Sequence, residues 1–154
     1  MLFAEIKSRL LGNWSGTNHL HLSWLTPSDY HSSSQMAIAA VAHEKFLTLM
    51  YTWSHENKAH EGLLVLGYDA AQQVATASWL DSWHMSSKLM SCTGTIDERG
   101  EIAVKGYYEA PPDPDWGWRI VIAVRNEALR MTMYNCTPAG EEELAVQADY
   151  VRAI

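Results

Sequence analysis

The densest grouping of chemically versatile side chains is the run Trp79-Leu80-Asp81-Ser82-Trp83-His84. If this run is extended, a period of two sets Trp79, Asp81 and Trp83 on one face, a carboxylate between two indoles. On an interior face such a carboxylate is costly without partners. Two roles satisfy that constraint. Asp81 can be a polar anchor or acid with a raised pKa serving a bound molecule, or a structural acceptor for an indole N–H, a Tyr hydroxyl or an Arg. Tyr51, Asn18 and Asn135 are the groups most able to partner it from other strands. His84 falls just past the end of the run, over the opening, as a general base or as a solvated loop residue.

His19 and His21 form an H-x-H pair, which places two imidazoles on one strand face and supplies two ligands of a metal. No third ligand stands at a fixed spacing from them, and their face is the outward one, so no metal is expected. No G-x-S-x-G elbow is present, and Ser82, Ser86 and Ser87 beside His84 carry no mark of a nucleophile. Cys92 shares its parity with Met90, Gly94 and Ile96 and reads as a small core filler.

Strands must position these groups. Short runs rich in Val, Ile, Thr, Tyr and Trp are broken by turn chemistry at 68–70, 97–100, 111–114 and 138–140. The pattern predicts strands near 13–24, 35–42, 45–54, 62–69, 73–83, 88–96, 101–109, 116–125, 128–136 and 143–152, after a short helix over 3–11. Ten antiparallel strands joined by hairpins imply an all-β fold, an up-and-down barrel or a sandwich.

Alternation assigns the inward side chains. They are Trp14, Gly16, Asn18, Leu20, Leu22 and Trp24 on the first strand and Leu47, Leu49, Tyr51 and Trp53 on the third. Trp116, Trp118, Ile120, Ile122 and Val124 follow on the eighth, and Leu129, Met131, Met133 and Asn135 on the ninth. The last strand turns Leu144, Val146, Ala148, Tyr150 and Arg152 to one side, where Arg152 needs a partner. Ten strands enclose a wider bore than eight, so the inward aromatic and Met residues, with Tyr108 among them, are expected to wall a cavity.

The chain has 154 residues, is 47% hydrophobic, and contains seven Trp, seven Tyr and two Phe. That is material for the core of one domain spanning 1–154. Asp and Glu outnumber Lys and Arg by 18 to 11, a net charge of −7 with no basic stripe. Nucleic acid and anionic membrane surfaces, which are bound through clustered cations, are therefore poor partners. Glu5 and Lys7 interrupt the first apolar stretch, which reads as neither signal peptide nor anchor. With Cys92 and Cys136 as its only cysteines, the protein is expected to hold reduced thiols in the cytoplasm.

The opening Leu11-Gly12-Asn13-Trp14 with Arg152 on the last strand resembles the G-x-W and terminal Arg signature of lipocalin-like barrels, the calycins. In that group the Trp plugs the closed end and the Arg lies across its ring. The strings 61–69, 79–84, 115–120 and 141–144 are similar to the bacterial domain of unknown function family 1579, over about residues 11–152. That resemblance implies a single antiparallel up-and-down barrel of about ten strands and no established activity. The haem-binding nitrobindins share the G-x-W opening, but their axial ligand is a His near the C-terminus, and no His follows His84 here. No cofactor is expected.

The resulting expectation is a barrel that binds a small, partly apolar molecule. Its binding residues would be Asn18, Tyr51, Trp53, Trp79, Asp81, Trp83, His84, Tyr108, Trp118 and Asn135. The alternatives are a small enzyme using Asp81 and His84 for acid and base chemistry, and a structural barrel that pairs with a second copy as a homodimer.

Overall fold

The computed structural model describes residues 2–154. Helix α1 (Phe3–Leu10) precedes ten strands: β1 (Gly12–His21), β2 (Asp29–Val41), β3 (Phe46–His55), β4 (Lys58–Asp69), β5 (Val74–Asp81), β6 (Met90–Ile96), β7 (Ile102–Tyr108), β8 (Trp116–Arg125), β9 (Ala128–Cys136) and β10 (Glu142–Arg152). Each strand pairs antiparallel with its neighbours in sequence, and β10 returns to pair with β1 from Trp14↔Arg152 to Leu20↔Val146. The sheet is a closed barrel, which leaves no strand edge unpaired.

Alternation is obeyed where burial is strongest. Leu47, Leu49, Leu64, Leu66, Ile120, Ile122, Met131 and Met133 are all buried inside the barrel. Their side chains pack the bore in place of the wide cavity expected of ten strands; beneath the helix only about 10 Å³ is left among Ile6, Leu10, Ile122 and Val124, and grooves of about 660 and 470 Å³ lie along Thr17, Arg130 and Val151 and beside Trp14 and Arg152. Tight two-residue hairpins at Glu56-Asn57 and Asn126-Glu127, with both residues at positive φ, carry β3 into β4 and β8 into β9. Gly16 sits where β1 runs so close to β10 that a Cβ would lie 1.8 Å from the Asp149 carbonyl oxygen.

Helix α1 closes one end. Its apolar residues Ile6 and Leu10 are buried, and Lys7 Nζ donates to the Glu44 carbonyl at 2.7 Å, fastening the helix over the β2–β3 turn. Trp14 is buried beneath it and donates Nε1–H to the Leu10 carbonyl at 2.8 Å. The Arg152 guanidinium lies 4.1 Å from the Trp14 ring and donates to the carbonyls of Arg9 and Leu11. The odd charge on the last strand thus finds both an aromatic face and the carbonyls at the C-terminal end of α1.

Several strands differ from the sequence pattern, among them β4, which starts at Lys58 rather than 62. β2 starts at Asp29 rather than 35, because the run Ser32-Ser33-Ser34 has no apolar alternation to reveal it; Ser34 is nevertheless buried, hydrogen-bonded to Tyr150 Oη at 2.7 Å. β1 ends at His21, so Trp24 belongs to the following loop and is 71% exposed rather than inward. β10 carries a bulge between Leu144 and Val146, which breaks the parity that Leu144 was assigned.

Replacing Arg152 with Ala removes the ring contact and both carbonyl bonds while leaving the sheet register intact. Arg152→Ala is expected to cost about 1–2 kcal/mol, read as a lower thermal midpoint with an unchanged far-ultraviolet dichroism spectrum. An unchanged midpoint contradicts the closing role.

Candidate functional site

The open end is built around one buried carboxylate. Asp81, 2% exposed, is the last residue of β5, and all its acceptor positions are used. Oδ2 accepts from Tyr51 Oη at 2.7 Å and from Trp53 Nε1 at 3.2 Å. Oδ1 accepts the backbone N–H of Trp83 at 2.9 Å and of His84 at 3.1 Å. Of the two roles open to Asp81, this is the structural one, with indole and Tyr donors. The bonds from Trp83 and His84 also end β5 two residues sooner than the pattern of Trp79, Asp81 and Trp83 implies, because Asp81 turns the chain.

Tyr51 reaches Asp81 across an intervening strand. In the register, Tyr51 of β3 opposes Gly62 of β4, which opposes Asp81 of β5. A Cβ at Gly62 would lie 2.2 Å from the Tyr51 hydroxyl, so only glycine lets the ring pass over β4. Tyr51 in turn accepts Trp79 Nε1–H at 2.9 Å, and burial beside Asp81 holds its hydroxyl far above the usual Tyr range.

Above this floor stands His84. Its ring lies within 4.8–5.8 Å, centroid to centroid, of Trp53, Trp79, Trp83 and Trp118. It is not a solvated loop residue: the Asp81 turn folds it back into an aromatic cage. Burial among the indoles lowers its pKa from 6.5 to about 4, only partly opposed by the Asp81 charge, so the imidazole is neutral at pH 7. Asp81 contacts His84 through the backbone and not the ring, and among the described residues no hydrogen bond reaches the ring nitrogens.

Two spaces flank this residue. On the inner side a cavity of about 70 Å³ is lined by Leu20, Leu22, Trp24, Trp83, His84, Trp118, Asn135 and Leu144. On the outer side a groove of about 430 Å³ is lined by Trp83, His84, Met85, Lys88, Leu89, Tyr107 and Tyr108. Trp83 and His84 form the wall between them. One buried donor that lines this space has no partner, Trp118 Nε1–H; the partly exposed Asn135 beside it uses its carbonyl oxygen to accept from Tyr108 Oη at 2.5 Å.

The residues singled out from the sequence therefore occupy three places. Tyr51, Trp53, Trp79 and Asp81 make the floor, Trp83, His84, Tyr108, Trp118 and Asn135 surround the two spaces, and Asn18 is buried on β1 opposite Ala148, lining neither space. Sequence reasoning did not single out Lys88, Met85 and Tyr107, which the β5–β6 loop and β7 bring to the groove. Its one available signal for Gly62 was a glycine inside a strand pattern, which marks a close approach.

Ten antiparallel strands closed on themselves, with a helix and a Trp–Arg pair at one end and an aromatic mouth at the other, define a lipocalin-like barrel. The chain belongs to the family described as protein of unknown function DUF1579, whose model matches residues 6–152. No curated protein matches the sequence. Among solved structures, Rv2717c from M. tuberculosis is similar with a TM-score of 0.67 at 14% identity, over 97% of this chain and 96% of that one. The S-type phycobiliprotein lyase CPES from Guillardia theta is similar with a TM-score of 0.61 at 18% identity, over 100% of this chain and 94% of that one. At these identities the likeness is one of fold. No helix among the described residues is long and apolar enough to cross a membrane.

Two outcomes follow from this geometry. Asp81→Asn turns an amide toward donors that need an acceptor, so it is expected to destabilise the protein by about 2–4 kcal/mol in chemical denaturation; a loss below about 0.5 kcal/mol contradicts the hub role. His84 is neutral in the folded protein down to pH about 4 but takes up a proton near 6.5 when unfolded. Stability is thus present above pH 6.5 and is lost as pH falls toward 4, by up to about 3 kcal/mol from this group. Wild type should lose thermal stability more steeply than His84→Phe over that window, and parallel curves contradict the assignment.

Proposed function

We propose that this barrel binds a small, partly apolar, planar molecule at its mouth, with the aromatic groove holding the body and the unpartnered Trp118 N–H taking a carbonyl or carboxylate group. The observation that carries the reading is the wall made by Trp83 and His84: it separates a groove of about 430 Å³ from an inner cavity whose Trp118 N–H has no partner. A buried donor without a partner costs about 1–3 kcal/mol, a cost that an incoming acceptor relieves. The groove has the volume of a small-molecule site, and the inner cavity has not. Binding therefore starts in the groove, against Tyr107, Tyr108 and Met85, where Lys88 and Glu109 supply one charge of each sign. A swing of His84 admits the polar end. Asp81, its lone pairs already used, acts by positioning Trp53 and the turn that bears His84 rather than by touching the ligand.

That a phycobiliprotein lyase shares the fold supports a small-molecule reading and makes an open-chain tetrapyrrole a reasonable probe. The acid and base alternative gains no such support, because the Asp81 carboxylate and the His84 ring do not bond to each other.

The test is a titration with biliverdin and, separately, with anilinonaphthalene sulfonate, a planar aromatic anion, followed by quenching of indole fluorescence. Saturable binding is expected. Trp118→Phe keeps the ring stack but removes the N–H, and is expected to weaken binding about 3- to 10-fold. Absence of saturable binding by either probe, together with a native mass equal to the denatured mass for protein purified from its host, overturns the proposal.

A further inference from the structure

Outside the mouth, on the outer wall of β1 and β2, the fold assembles a group that the sequence spacing leaves incomplete. His19 and His21 stand on the outward face of β1. The antiparallel register places Asp29, the first residue of β2, opposite His21, and His31 opposite His19. One carboxylate oxygen receives both imidazoles: Asp29 Oδ1 lies 2.6 Å from His19 Nε2 and 2.8 Å from His21 Nδ1. The three ligand atoms are mutually within 4.8 Å, and the side chains are 27%, 28% and 48% exposed, open to an ion from solvent. Ser28 Oγ donates to the other carboxylate oxygen at 3.0 Å, and His31 stacks on His19 with centroids 4.7 Å apart, so the carboxylate and one ring are already oriented by second partners.

We propose that His19, His21 and Asp29 form a binding site for a divalent transition-metal ion of the zinc class, with three protein ligands and a position left to water. Two imidazoles and a carboxylate are a donor set that such ions favour. Tetrahedral bonds of about 2.0–2.2 Å require ligand atoms about 3.3 Å apart, so the ion replaces the bridging hydrogens if each imidazole nitrogen parts from Asp29 Oδ1 by about 0.5–0.7 Å and the two nitrogens, within 4.8 Å of each other, settle at that same spacing. Partly exposed side chains on a strand and a strand end can make that adjustment by rotating about χ1 and χ2. The ligands also bracket the β1–β2 loop, closed at its base by the Leu22 N–H to the Ser28 carbonyl at 2.8 Å, and Leu22, Ser23 and Trp24 of that loop line the mouth cavity. A bound ion ties the two stems of this loop together. Of the three ligands His21 also borders the inner cavity, whereas His19 and Asp29 do not, and none of the three borders the groove in which the ligand proposed above first binds.

The experiment uses the full chain stripped with EDTA. Titration with Co²⁺ is expected to produce ligand-field absorption that saturates at one ion per chain, and calorimetric titration with Zn²⁺ alone to give the same stoichiometry. His21→Ala and Asp29→Asn should each weaken Zn²⁺ binding at least tenfold, as should His19→Gln, the mildest of the three in case either of the others unfolds the loop. His43→Ala, an exposed histidine in the β2–β3 turn at the far end of the barrel, should bind as wild type does. Thermal midpoints in EDTA establish that each variant is folded. Binding that is absent at millimolar Co²⁺, equal in folded ligand variants and wild type, or weakened as much by His43→Ala as by His21→Ala overturns the proposal.

Discussion

The pairing of β1 with β10 is the constraint on which everything else in this barrel depends. Once Trp14 opposes Arg152 and Leu20 opposes Val146, the sheet has no edge, and its circumference and interior are set. The interior side chains then decide how much of that space is left. Here Leu, Ile and Met residues fill the bore from the closed end upward, and the Trp14–Arg152 pair seals that end by joining the first strand, the last strand and the C-terminal carbonyls of α1. The small inner cavity bordered by Trp83, His84 and Trp118 lies where the strands end, at the mouth.

The mouth in turn is organised by a charge taken out of water. A buried carboxylate persists only when its acceptor positions are met, and meeting them at Asp81 recruits groups from three places: Tyr51 and Trp53 from β3, and the backbone of Trp83 and His84 from the turn after β5. Each recruitment fixes something else. The Tyr51 bond requires a bare Gly62 on the strand between, the Trp53 bond orients one wall of the cage, and the backbone bonds bend the chain so that His84 points inward. The carboxylate that looks most reactive in the sequence is thereby the most fully committed, while the buried side-chain atoms left without a partner among the described residues are ring nitrogens: Nε1 of Trp116 and Trp118 and Nδ1 of His55.

Much of the architecture was legible in the order of residues. Strand number, the N-terminal helix and the inward faces of β3, β8 and β9 follow from a period of two, because a sheet that buries one face must alternate. That Arg152 needs a partner was likewise readable from a cation on an otherwise apolar face, and the resemblance to lipocalin-like barrels implied that Trp14 is that partner. The interior position of Asp81 and the kind of donors it binds came from the same reasoning. What the alternation could not carry was any place where polar bonding, not burial, sets the backbone: the serine-rich start of β2, the turn at Asp81, and the bulge before Val146.

By itself, then, the amino-acid order determined ten antiparallel strands with an aromatic interior, because hydrophobic periodicity is local and each strand declares its own buried face; between barrel and sandwich it was the family resemblance that pointed to the barrel. Tertiary structure alone decided which polar groups meet. Tyr51 and Asp81 are thirty residues apart and touch because a glycine stands between their strands. His84 turned from a loop residue into the core of an aromatic cage when Asp81 drew its backbone in. Asp29 met His19 and His21 only through the register of β1 on β2. Contacts of this kind depend on cross-strand register and on the volume of the side chains between, quantities that no spacing along a single chain encodes.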